Sequence, residues 1–158
     1  MEWIDFVRTA HVLGACVLIG TGSGIAFFML MANRTGDPVS IAHTSSIVVV
    51  ADMLFTATAA VAQPITGLVL AWHVGWALTE GWLALSLGLY VLIGVFWLPV
   101  VVIQTKMRDE ALAAVAADRP LSNRYRSLYR IWFACGVPAF VAILALLWLM
   151  VARPVVGS

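Results

Sequence analysis

WLALSLGLYVLIGVFWLPVVVI, Trp82 to Ile103, runs for 22 residues without Asp, Glu, Lys or Arg. About 20 such residues, rising about 1.5 Å each, cross a hydrocarbon layer roughly 30 Å thick. Backbone groups in lipid find no water, so the stretch must satisfy its own hydrogen bonds as a helix. Three more uncharged apolar stretches follow the same rule: Ala10 to Met31, Met53 to Trp72 and Ile131 to Ala152. The fold class expected is all-α, an integral membrane antiparallel four-helix bundle. One domain, 1–158, holds it, with helices at about 4–32, 45–73, 81–117 and 123–153.

Composition supports this reading. The chain is 63% hydrophobic and 11% charged, with mean hydropathy +1.00. A soluble domain carries roughly 25% charged residues. The net charge of +1 points to no polyanionic partner, and no nucleic acid is expected. The lipid bilayer is the first partner. Glu2 and Asp5 offset Arg8, and the first apolar run is longer than a signal-peptide core, so a retained helix is expected. Cys16 and Cys135 lie inside apolar runs and read as small hydrophobes.

Charge sets the orientation. With four spans, loops 1 and 3 share one side; both termini and loop 2 share the other. Arg34, Lys106, Arg108, Arg119, Arg124, Arg126 and Arg130 fall on the loop side, and only Arg8 and Arg153 on the terminal side. Positive residues stay in the cytoplasm. The expected location is therefore a bacterial cytoplasmic (inner) membrane, with both termini periplasmic and loops 1 and 3 cytoplasmic. Trp3, Trp72, Trp76, Trp82 and Trp148 then belong to the outer interface, where an apolar ring with one donor is favoured. Loop 3 is the long connection. Asp118 to Asn123 reads as a turn and N-cap, and Arg124 to Arg130 as a basic, tyrosine-bearing anchor at the headgroups.

The glycine-rich first span carries Gly14, Gly20, Gly22 and Gly24; Gly20 and Gly24 make a GxxxG suited to close helix packing. Pro64, Pro99 and Pro138 each remove a donor from a later span. Thr66, Gln63 or water are the candidates to satisfy the carbonyl freed by Pro64.

Polar residues at membrane depth are the functional candidates. His11 lies one turn inside the first span, and Gly14 bares the helix face beside it. A nitrogen donor beside flat space suits a ring ligand such as haem; the alternative is a histidine bonded to a neighbouring helix. His73, Met150, Arg8 and Arg153 are expected near the same level. Imidazole and thioether are haem axial ligands, and guanidinium groups pair with propionates. Asp52 is the costliest residue, because a carboxylate in lipid needs partners. Arg130, Arg34 and Gln104 are its expected partners. Gln63, beside Pro64, reads as an interhelical hydrogen-bonding residue, and His43 as a loop residue before the second span. No Zn signature, Walker motif or dinucleotide fingerprint is present.

The segments HVLG…GTGSG (His11 to Gly24), QPITGL (Gln63 to Leu68), WLPVVVIQ (Trp97 to Gln104), RYRSLYRIWFACGVPAF (Arg124 to Phe140) and MVARP (Met150 to Pro154) resemble a bacterial family of integral membrane proteins of unknown function. That family is similar in turn to the copper-resistance-D-like group, which includes the HemJ-type protoporphyrinogen oxidases. The resemblance implies haem b bound through the first-helix histidine, here His11 as ligand to the iron. Leu18, Phe27 and Phe28 stand where the oxidases carry a Trp and a basic residue. Three functions stay open: a haem b protein in membrane redox, tetrapyrrole- or quinone-linked work; a non-enzymatic accessory or assembly subunit, in a homo-oligomer or a membrane complex; and a small transporter.

Overall fold

A computed structural model describes residues 2–154. Residue 1 and residues 155–158, part of the expected 1–158 domain, lie outside the described residues. The described chain is helical, with four helices long and apolar enough to cross a membrane. Helix α1 spans Trp3–Thr35, α2 Pro38–Ala51, α3 Ala57–Val74, α4 Gly81–Ala116 and α5 Asn123–Ala152. A π turn, Asp52–Thr56, joins α2 to α3, so these three make one span, Pro38–Val74.

Local chemistry explains the boundaries. Gly36 ends α1 in the left-handed region at φ 69°, which glycine reaches without a Cβ penalty. Asp37 caps α2 through Val39 N–H at 3.2 Å and Ser40 N–H at 2.9 Å, and Pro38 takes the first helical position, where no donor is needed. The second span therefore starts at Pro38 rather than near residue 45. His43 lies on α2, exposed, not in a loop. Ser122 caps α5 through Tyr125 N–H at 3.1 Å. Its hydroxyl also donates to Glu110 at 2.7 Å, tying the turn to α4.

The core lies toward the loop side. Ile25, Met29, Ile41, Met107, Tyr125 and Trp132 pack there, from α1, α2, α4 and α5. Toward the terminal side the bundle resolves into two antiparallel pairs, α1 with α3 and α4 with α5. A smaller cluster of Ala71, Trp82 and Leu83, with Trp76 and Met150, links the pairs at that end. Outward residues such as Phe28, Ile65, Val91 and Val141 are apolar, as a lipid-facing surface requires. Gly20 has nothing within van der Waals reach of an added Cβ and Gly24 meets Phe28 of its own helix, so the expected GxxxG contact is not made among the described residues. Gly20 and Gly24 instead line an open groove between α1 and the second span.

Pro64 removes the donor that Ala60 carbonyl would have received. Tyr90 of α4 supplies the replacement, its hydroxyl donating to that carbonyl. Thr66 hydroxyl, one of the expected substitutes, donates instead to Ala62 carbonyl at 2.8 Å.

Candidate functional site

Two polar centres lie within the bundle. The one toward the terminal side joins α1 to α3. His11 Nδ1 lies 2.8 Å from Thr66 Oγ1. Thr66 has one hydroxyl proton, and Ala62 carbonyl takes it. Thr66 must then accept from an Nδ1–H, an assignment made from the network. The Nε2 lone pair is left free, and no described side chain is hydrogen-bonded to it. The ring rests against Gly67, where a Cβ would come within 3.1 Å of Cε1. Gln63, buried, donates through Nε2 to His11 carbonyl at 2.7 Å.

The glycine face beside His11 is not open. An added Cβ at Gly14 would collide with the Gln63 side-chain amide. The bare face was selected by sequence spacing on α1 alone, which does not say that α3 fills it. The other expected members of this site lie elsewhere. His73 meets Trp3 edge-on, centroids 5.5 Å apart. It is seven residues beyond Thr66, about 10 Å along the helix. Arg8 bonds Asp5 at 3.3 Å, both exposed. Arg153 lies over Trp76, its guanidinium carbon 4.7 Å from the ring centroid, with Trp82 at 5.9 Å. Met150 packs in the same tryptophan cluster. These groups do not converge on His11 as inferred depth had them.

The second centre is deeper and toward the loop side. Asp52, 3% exposed, opens the π turn. Its Oδ1 accepts from Trp97 Nε1 at 3.3 Å and its Oδ2 from Gln104 Nε2 at 3.0 Å. Gln104 Oε1 accepts from Trp132 Nε1 at 2.9 Å. Indole is a donor only, so Trp132 fixes the amide with its oxygen toward α5 and its NH2 toward Asp52. Trp97 and Gln104 share a face of α4, seven residues apart. The expected Arg130 and Arg34 partners are absent from this network: both are exposed, and neither is bonded to Asp52. Long cationic side chains extend toward water instead of entering a dry core. Trp97 and Trp132 were not among the expected partners; indole N–H donation, by Trp97 to the carboxylate and by Trp132 to the amide that faces it, was the missed signal.

The π turn widens the helix, and such turns mark functional positions more often than chance. Thr56, at its end, is 8% exposed, and its hydroxyl has no hydrogen-bond partner among the described residues. Among the described residues no group of three or more His, Cys, Asp or Glu could hold a metal ion.

No curated protein and no solved structure matches the chain. One family pattern does, across residues 5–154, and the chain belongs to that family, described as predicted integral membrane protein, DUF2269.

Proposed function

We propose that the chain is a haem b protein of the bacterial cytoplasmic membrane, holding the iron through His11 Nε2. One contact carries this reading: His11 Nδ1 lies 2.8 Å from Thr66 Oγ1, and with the Thr66 proton assigned to Ala62 carbonyl the Nε2 lone pair is left free. Histidine ligands characteristically donate their other ring N–H in this way, which fixes the tautomer and the ring plane. Gly67 replaces Gly14 as the small residue beside the imidazole. Haem bound there would supply one-electron transfer. The chain's residues bind the iron, hold the imidazole and keep the site in an apolar setting that tunes the potential. His73, Met150, Arg8 and Arg153 would join only by leaving their present contacts, so His11 is the one ligand assigned. The resemblance to HemJ-type proteins supports the same histidine. The basic excess on loops 1 and 3 supports periplasmic termini.

The test is colour. Protein purified from cells supplied with haem should show a Soret band and sharpened visible bands on reduction, and His11→Ala should lose them. A colourless wild-type protein overturns the reading.

A second reading has its own observation. Gly20 and Gly24 border the open groove between α1 and the second span, and small residues let another helix approach closely. An accessory subunit of a membrane complex, or of a homo-oligomer, would receive a helix there. Cysteine cross-linking at Gly20 in native membranes distinguishes it: a specific adduct favours the accessory reading, whereas scattered lipid-exposed labelling speaks against it.

A further inference from the structure

A buried bond joins the loop-side ends of α1 and α5, whose mutual packing is otherwise sparse. Tyr125, 1% exposed, donates its hydroxyl to Asn33 Oδ1 at 3.0 Å. Asn33 Nδ2 donates to Met29 carbonyl at 2.8 Å, which fixes the amide with its oxygen toward α5. The tie gathers cations of both helices at one corner. Arg34 follows Asn33 on α1, and its charge acts on the Tyr129 phenol, one turn beyond Tyr125. Arg126 and Arg130 flank Tyr129 on α5, at three residues before and one after. Tyr129 is held by stacking on Trp132, centroids 5.9 Å apart. Arg34, Arg126 and Arg130 are all exposed, and none has an ion pair among the described residues.

The acids near this corner are already engaged. Glu110 meets Arg124 at 3.4 Å and accepts from Ser122, Asp109 meets Arg108 at 2.8 Å, and Asp37 caps α2. Asp118 lies in the turn beyond Ala116, where α4 has ended. Like charges gathered without a counter-ion repel one another, so an anion stabilises the corner. A zwitterionic headgroup suits it less, because its ammonium would find no free carboxylate.

The apolar face beside these cations says what kind of anion fits. Phe133 lies seven residues after Arg126 and Val137 seven after Arg130, two turns on and on the same face of α5. On α1, Phe27 stands seven residues before Arg34. All three apolar side chains are exposed. Each helix therefore carries guanidinium at headgroup level, where long cationic stems reach, and an apolar track running from it into the hydrocarbon. That pairing matches a phosphate with acyl chains attached rather than a free ion.

We propose that Arg34, Arg126 and Arg130 form a binding site for one anionic phospholipid, with its phosphate between the α1 and α5 guanidinium groups and its acyl chains along Phe27, Phe133 and Val137. Guanidinium groups meet phosphate oxygens through paired N–H bonds, which gives the contact geometry as well as charge. The lipid bridges α1 and α5 and adds to the Tyr125–Asn33 bond.

Native mass spectrometry of the full chain in a non-ionic detergent, titrated with phosphatidylglycerol or with phosphatidylcholine, tests this. Phosphatidylglycerol should saturate a first site at one lipid per chain, with phosphatidylcholine at least about tenfold weaker. Arg34→Gln and Arg130→Gln should each weaken that site about fivefold, and together at least about tenfold. Arg119→Gln removes the same charge from the turn between α4 and α5 and should leave the affinity unchanged. The substituted side chains are exposed and unpaired, and circular dichroism checks that each variant keeps its helices. Equal binding of the two lipids, no saturable first site, a loss in Arg119→Gln as large as in Arg34→Gln, or displacement of the lipid by millimolar inorganic phosphate overturns the site. None of these outcomes depends on haem.

Discussion

At His11 a single hydroxyl decides which ring nitrogen is free. Thr66→Val removes the acceptor of Nδ1–H but keeps the side chain's shape. Loss of such an orienting partner lowers metal affinity about 10–100-fold. A haem titration of Thr66→Val should show that loss with the thermal unfolding midpoint little changed. Gly14 has a different role from the one its spacing implies. Gly14→Leu would push against Gln63 rather than against a ring ligand, so its effect belongs to packing. Overpacking of this kind costs about 1–3 kcal/mol, and the variant should unfold at lower temperature. Tyr90→Phe strands the Ala60 carbonyl, at about 1–3 kcal/mol for a buried unsatisfied group. Tyr129→Phe, whose hydroxyl makes no hydrogen bond in the described structure, is the control and should leave the midpoint in place. The sequence marked Gln63 as an interhelical hydrogen-bonding residue, and it bonds His11 carbonyl; neither the Tyr90 bond nor the fit of Gln63 against Gly14 was legible. Both depend on how two helices rotate against each other, which one helix's periodicity does not encode.

The spans themselves were legible because lipid imposes one rule on every apolar run of that length. The boundary at Pro38 was missed, although Gly36, Asp37 and Pro38 carry its signals in order: left-handed stop, cap, first turn. Hydropathy alone obscured it by locating the second span through its uncharged stretch. The π turn had no such sign. No glycine or proline marks Asp52 to Thr56, so the extra residue is set by packing around Asp52. Of Asp52's expected partners Gln104 bonds it, whereas Arg130 and Arg34, chosen by charge, are exposed; Trp97, at the same depth, was not foreseen. Asp37 gives this scale its pH prediction. Hydrogen bonds from the Ser40 side chain, then from the Ser40 and Val39 backbone, hold its carboxyl below the usual carboxylate range. A lowered folded value means that the cap stabilises α2 above the unfolded value and loses that contribution as pH falls through the folded one. The protection factors of the Val39 and Ser40 amides, with exchange corrected for its intrinsic pH dependence, should therefore fall on acidification below about pH 4. Asp37→Asn should flatten that dependence.

For the molecule as a whole, two helix pairs share a core toward the loop side and carry one polar centre at each level. On the proposed orientation, a cysteine at Ala117 should label only from the cytoplasm, and one at Glu2 only from outside. Reversed labelling would contradict the charge-based orientation while leaving both polar centres intact. The central claim is that His11 offers iron a free nitrogen. Its most direct test is titration of purified protein with ferric haem, followed at the Soret band. The account predicts saturable binding at one haem per chain, at least about tenfold weaker in His11→Ala and unchanged in His43→Ala. Equal binding by wild type and His11→Ala, or none by either, would contradict it.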